Sequence, residues 1–393
     1  MRISKLVLPL LVTLSACSQQ ESMENLTERV FRVAQQQYTA MDTRLDNQTL
    51  PQTIAVDSSF KTSTIYWWCS GFYPGSLWYI YEYTQDPSIK LLAEKNTLKL
   101  DSIQYVTHDH DVGFQLNCSY GNGYRLTNNE AYAKVLCQGA KSLSTRFNPQ
   151  VGVIRSWDFV PKSKDWKYPV IIDNMMNLEL LMFAASKLGN DTLRHIACTH
   201  ANTTLKNHFR NDYTSYHLVD YDSDNGQVRS KQTVQGYSDE SAWSRGQAWA
   251  LYGYTMMYRT TGEKKYLQQA ENIGRMLVSH LSNDCIPYWD LNTPENNKYH
   301  DASAGAIMAS AFIELSTFAN DCNDRKAFVL MAEKQLRTLA SPIYLAEPGT
   351  NCNFILKHSV GNLPGNSEVD VPLSYADYYF LEALLRYQKI KQF

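Results

Sequence analysis

The 393-residue sequence predicts an all-α fold, a single (α/α)6 barrel of about six helical hairpins. Three observations carry that expectation. Apolar residues recur at helical spacing in a long series of segments, and short connections between them alternate with long ones. No linker, low-complexity stretch or compositional break divides residues 24 to 393. Hydrophobic residues make up 44% of the chain and charged ones 19%, which suits a large core rather than a disordered chain. With 37 Lys and Arg against 39 Asp and Glu, the net charge of −2 excludes a basic nucleic-acid binder.

The elements follow in order. Arg2 and Lys5 precede an apolar run from Leu6 to Leu14, which reads as a signal peptide over residues 1 to 16 and is too short to span a bilayer. Leu14-Ser15-Ala16-Cys17 resembles a bacterial lipobox, so Cys17 is expected to carry lipid. Residues 17 to 23 would then be a tether to a membrane, facing the periplasm. Helical spacing covers 24 to 45, 72 to 84, 87 to 104, 128 to 147, 174 to 188, 191 to 210, 243 to 260, 264 to 281, 302 to 319, 323 to 340 and 374 to 390. The turns Thr84-Gln85-Asp86, Leu188-Gly189-Asn190-Asp191, Thr261-Gly262-Glu263 and Asn320 to Asp324 each stop one helix and cap the next. A hairpin buries one face only, so these hairpins must stack or close into a ring. The long connections, 61 to 72, 105 to 127, 148 to 172, 211 to 242, 283 to 301 and 342 to 373, would then gather on one face, where chemistry is to be sought.

Seven cysteines remain besides Cys17, an odd number with no Cys-x-x-Cys, so neither a zinc ribbon nor a redox pair is expected. The 26 Tyr, 14 Phe and 8 Trp are an excess that fits sugar-stacking surfaces, although core packing accounts for most of them.

Four stretches of the long connections carry candidate chemistry. In Trp67 to Trp78, aromatic residues mixed with Gly and Pro make a rigid entry to a helix, with a ring able to face a cleft. In Thr107 to Phe114, His108 and His110 alternate with Asp109 and Asp111. No further ligand sits nearby at a supporting spacing, so no metal is expected, and an Asp beside imidazoles is a candidate acid/base or orienting group. In Tyr168 to Asn177, Asp173 falls where a helix begins. It is either an N-cap or a carboxylate whose proton affinity is raised by apolar burial and lowered by the helix N-terminus. In Gln235 to Ala250, Asp239 or Ser241 is expected to cap a helix on which Arg245 and Trp249, four residues apart, point to one side. That pair suits a carboxylated sugar, and equally a salt bridge beside a core Trp.

Taken together, Ser244-Arg245-Gly246-Gln247-Ala248-Trp249, His110-Asp111-Val112-Gly113-Phe114, Ile172-Asp173 and the Gly71-Phe72 turn resemble the unsaturated glucuronyl hydrolases of glycoside hydrolase family 88. The motifs run in that family's order from about residue 24 to the end. Related unsaturated rhamnogalacturonyl hydrolases usually have Asn where Gln247 stands. The resemblance implies removal of the 4,5-unsaturated glucuronic acid from lyase-generated oligosaccharides, glycosaminoglycan disaccharides first, without a cofactor. A proton adds to C4, water adds to C5, and the hemiketal opens. It makes Asp173 the general acid and base, Asp111 its partner carboxylate, and His217, Gln235, Arg245 and Trp249 substrate contacts. Trp68 becomes a stacking ring at a position that Trp67 also could fill. Arg245 and His217 are expected to attract the anionic substrate. The alternatives are ulvan or rhamnogalacturonan oligosaccharides as substrates, or a non-catalytic sugar-binding lipoprotein, which the presence of both Asp111 and Asp173 disfavours.

Overall fold

In chain order the helices are α1 (Met23–Asp42), α2 (Phe72–Thr84), α3 (Pro87–Leu98), α4 (Val112–Leu116), α5 (Asn122–Thr127), α6 (Glu130–Ser144), α7 (Leu178–Leu188), α8 (Asp191–Asn207), α9 (Ser244–Thr261), α10 (Lys264–His280), α11 (Ala302–Phe318), α12 (Cys322–Leu339) and α13 (Ser374–Ile390). They belong to a computed structural model that describes residues 20 to 281 and 284 to 390. The signal segment and Cys17 lie outside the described residues.

The helices alternate between two rings. The packing α2 on α13, α13 on α11, α11 on α9, α9 on α7, α7 on α4, and α5 on α2 closes an inner ring, and α1, α3, α6, α8, α10 and α12 cover it. The chain is an (α/α)6 barrel. Composition explains which helices go inside. In α11 every residue from Ala302 to Ile313 is buried, and Ala, Ser and Gly predominate there, so neighbours can approach from all sides. The outer α6 and α10 are instead amphipathic, with one buried face.

Three of the four turns cap the next helix as the sequence suggests, whereas Glu263 at the head of α10 makes no side-chain cap bond. Asp86, Asn190 and Asp321 accept backbone N–H bonds from Ser88, Leu193 and Asn323, and Gly189 and Gly262 end their helices in the left-handed conformation.

Two differences have physical causes. The sequence pattern assigns 105 to 127 to a loop, yet α4 and α5, joined by a π-helical turn at Asn117–Gly121, form one of the inner walls. An inner helix is buried on several faces and has no amphipathic stripe to detect, and Gly113, Gly121 and Gly123 weaken its local signal further. The long connections also contain short antiparallel strands rather than irregular chain alone. These are β1 (Thr49–Ile54), β2 (Phe60–Thr64), β3 (Phe147–Asn148), β4 (Val153–Ile154), β5 (Tyr168–Ile171), β6 (Leu218–Tyr221), β7 (Val228–Gln232), β8 (Ser359–Asn362) and β9 (Ser367–Val371). They form the hairpins β1-β2, β3-β4 and β8-β9 and the three-stranded sheet β5-β6-β7. All six inner helices begin at the end of the barrel that these strands cover, so backbone N–H groups and long loops converge there.

Candidate active site

Asp111 and Asp173 enter this end from adjacent inner walls. Asp111 directly precedes α4, and its side chain caps nothing there. It accepts a hydrogen bond from Asn177 Nδ2 at 3.3 Å, while Asn177 Oδ1 accepts one from the Phe114 N–H at 2.9 Å. A single Asn therefore ties the two acidic segments together. Asp173 lies in the first turn of a 3-10 helix, Ile172–Asn177, that follows β5. The register Ile171 opposite Leu218, continued by Ile172 N–H to His217 O at 2.9 Å, brings the chain at Asp173 next to the chain at His217. Asp173 is not an N-cap, and its Oδ1 is buried without a hydrogen-bond partner.

Burial dominates the proton affinity of both acids. Asp173 rises from the ordinary 3.8 to about 6, because desolvation outweighs the opposing pull of Arg245, His110 and the Trp249 indole N–H. Asp111 is also raised, by burial and by the neighbouring charges of Asp109 and Asp173, although His110 works against the rise. His110 sits between two carboxylates, with Nδ1 3.3 Å from Asp109 and Nε2 3.3 Å from Asp111. Among the described residues these three are the group whose ligand-type atoms come together, within 4.8 Å. Both ring nitrogens face an acid, so the imidazole itself serves as the cation between them.

The other predicted residues converge on the same place, with changed roles. His217 is 3% exposed, and its Nδ1 accepts from the Val234 N–H at 3.0 Å. Nε2 therefore carries the proton and has no protein acceptor. Burial, helped by Arg245, pushes its pKa down to about 3. The expectation that His217 attracts the substrate by charge is thus corrected: a neutral imidazole offers one N–H donor. Arg245, in the first turn of α9, carries the positive charge. It pairs with Asp301 at 3.1 Å and donates to Val360 O and to Gly361 O, the latter at 2.6 Å, and it lies over the Trp243 ring. These bonds use three of the guanidinium N–H donors and leave others for a ligand. Gln235 Nε2 donates to the same Gly361 carbonyl at 3.1 Å.

Trp249 also differs from expectation. It is fully buried, with Phe114 at 5.1 Å and Tyr379 at 5.4 Å between ring centroids, so it belongs to the floor of the site rather than to a stacking wall. Its indole N–H, unpartnered in the protein, lies beside Asp173 and is the part that can act. Trp68 packs on Tyr375 and Phe114 at 4.8 and 5.6 Å, whereas Trp67 is 43% exposed. The structure thus favours Trp68 as the ring adjoining the site. Neither Asp239 nor Ser241 caps α9. Asp239 accepts from Thr233 N–H and Ser241 donates to Asp290, because both serve the loop ahead of the helix.

Sequence reasoning missed Trp157, Asn177 and Asp301. Trp157 stands 6.2 Å from the His217 ring, edge to face. Asp301 is wholly buried, caps α11 through Ser303, and anchors Arg245. Asp301 could have been found from its capping pattern with Ser303. The link to Arg245 spans 56 residues and has no local signal.

A cavity of about 1010 Å³ opens at the opposite end of the barrel. Phe114, Trp249 and Tyr379 form an aromatic layer between it and Asp173. Several of its charges are taken up in ion pairs such as Arg125–Glu82, Arg259–Glu179 and Arg386–Glu382. It lacks an acid with a free oxygen facing a second acid, so the chemistry belongs to the strand-covered end.

Comparison with known proteins shows what the chain is similar to. Residues 35–382 match the model for Glycosyl Hydrolase Family 88. An unsaturated glucuronyl hydrolase of Formosa agariphila is 48% identical over 329 residues, 82% of this chain and 80% of that protein. An unsaturated chondroitin disaccharide hydrolase of Streptococcus pyogenes is 31% identical over 377 residues, 94% of this chain and 92% of that protein. A crystal structure of an unsaturated glucuronyl hydrolase specific for heparin superposes with a TM-score of 0.90 at 46% identity, covering 94% of this chain and 99% of that one.

Proposed function

The chain belongs to glycosyl hydrolase family 88, and from that premise we propose that it removes the 4,5-unsaturated glucuronic acid from the non-reducing end of lyase-generated glycosaminoglycan fragments by hydrating the C4=C5 vinyl ether. The observation that carries this reading is the buried pair Asp111 and Asp173, with Asp173 held near a pKa of about 6.

A carboxyl group that keeps its proton close to neutral pH can give it to C4. Positive charge then develops at C5 and the ring oxygen, where the Asp173 carboxylate left by the transfer and the uronate itself stabilise it. Asp173, now a carboxylate, takes a proton from the water that adds to C5, which restores the enzyme. The resulting hemiketal opens and releases the neighbouring sugar. Arg245 faces the uronate as a fixed cation, His217 and the Trp249 indole each supply one N–H donor, and Gln235 supplies an amide. The two-carboxylate spacing rule of ordinary glycosidases has no bearing here, because the first bond made is C–H.

The test follows the ultraviolet absorbance of the conjugated double bond in unsaturated disaccharides from heparin, chondroitin, hyaluronan and ulvan. Heparin and chondroitin fragments should lose their absorbance, in line with the relatives named above. Unchanged absorbance across the whole panel would refute the reading.

The lipobox-like Leu14-Ser15-Ala16-Cys17 supports a membrane lipoprotein facing the periplasm. Among the described residues no helix is long and apolar enough to cross a membrane. Cys17→Ala should move the protein from the membrane fraction to the soluble one; retention in the membrane fraction would refute the anchor.

A further inference from the structure

The loop between β4 and β5 carries a row of rings that starts at the active site and runs outward. Trp157 meets His217 at 6.2 Å, and Phe159 stacks beside Trp157 at 5.6 Å with 29° between the planes. Trp166 backs the row from the protein side at 5.9 Å from Trp157. Phe159 is 63% exposed, and Val160 beside it is 37% exposed.

A single exposed Phe on a surface needs no explanation. This one is held in place by a buried arginine. Arg146, 8% exposed, clasps the intervening Asp158 with two bonds of 3.0 Å and also donates to Thr107 O, Arg155 O and Ser156 O. Arg155 Nε donates to the Trp157 carbonyl at 2.9 Å. With Asp158 held by that guanidinium, the backbone that carries Trp157 and Phe159 on either side of it is fixed. A rigid, exposed apolar ring loses little entropy on meeting a ligand.

We propose that Phe159 is a stacking platform for the second sugar on the leaving-group side of the scissile bond, reached past Trp157, which meets the first. This rests on the function proposed above, which places the unsaturated uronate at Asp173 and His217. The rest of the oligosaccharide must then leave the pocket along its open side, and the aromatic row is continuous with the pocket there. The face of a pyranose presents C–H groups that suit a ring of this kind. The enzyme therefore distinguishes chain length: a disaccharide stops at Trp157, and a tetrasaccharide extends over Phe159.

The experiment compares an unsaturated disaccharide and an unsaturated tetrasaccharide from the same polymer, by loss of absorbance, in the unsubstituted enzyme, Phe159→Ala and Phe159→Trp. Phe159→Ala should raise KM for the tetrasaccharide roughly threefold to tenfold, the worth of one ring contact. Its kcat, and both constants for the disaccharide, should stay unchanged, and Phe159→Trp should restore the tetrasaccharide KM. Equal changes with both substrates, or no change with either, would overturn the platform while leaving the function intact. Failure of the unsubstituted enzyme to turn over either substrate would overturn the function and the platform with it.

Discussion

Asp173→Asn replaces a buried carboxylate by a neutral group of nearly the same shape, and the structure assigns it two opposite effects. The folded protein holds the Asp173 proton to about 6, against 3.8 for an ordinary Asp. Between these values the folded state binds more protons than the unfolded one, so this group's contribution to stability falls as pH rises. Each pH unit is worth about 1.4 kcal/mol, so the ionised side chain costs about 3 kcal/mol at neutral pH, an upper figure because the site relaxes. Asn has no proton to lose. The variant should thus be more stable than the parent by about 1 to 3 kcal/mol near pH 7, and the difference should vanish below about pH 4. Urea titrations followed by tryptophan fluorescence at the two pH values measure it. Turnover should fall by about 10²- to 10⁴-fold, the loss of a general acid and base. A variant no more stable than its parent near neutral pH, or a stability gap that does not change with pH, would refute the burial argument. An active variant would refute the catalytic role.

Three further outcomes are expected. The kcat/KM profile should fall on its alkaline side as pH rises through about 6, since the first step consumes the Asp173 proton; a profile flat across that range contradicts the assignment. Arg245→Lys keeps the charge and loses the fork that holds Asp301, Val360 O and Gly361 O, so steady-state kinetics should show KM raised about 10- to 100-fold with kcat much less affected. Gly113→Ala would put a methyl group 2.5 Å from Asn177 Cα, displacing the side chain that holds Asp111. Thermal unfolding should show a lowered Tm, and kcat should fall; a variant matching the parent in both would show that the close approach is unimportant.

These tests bear on a site that trades stability for chemistry. Two acids, a histidine and an arginine are all buried at one end of the barrel, and the groups that keep them there, Asn177 and Asp301, reach across from other walls. The strained hairpin β8-β9, in which Asn366, Glu368 and Asp370 have positive φ, is held down by Arg245 through Val360 O and Gly361 O and by Gln235 through the same Gly361 carbonyl, so substrate-binding residues also fasten the loop above them.

The sequence by itself determined the barrel class and most of the hairpin turns, and it singled out Asp111 and Asp173 as candidates. Capping residues and amphipathic outer helices act over a few positions, and the acidic motifs are contiguous. It could not show the inner wall Val112–Thr127, because a helix buried on several sides leaves no periodic stripe. Nor could it decide what each site residue does. His217 is neutral because burial and Arg245 together oppose its charge, Trp249 acts through an N–H because Phe114 and Tyr379 enclose its ring, and Trp157 reaches the site only when the β4–β5 loop folds over His217. Desolvation and ring packing depend on neighbours far apart in the chain, and only the closed barrel brings those neighbours together.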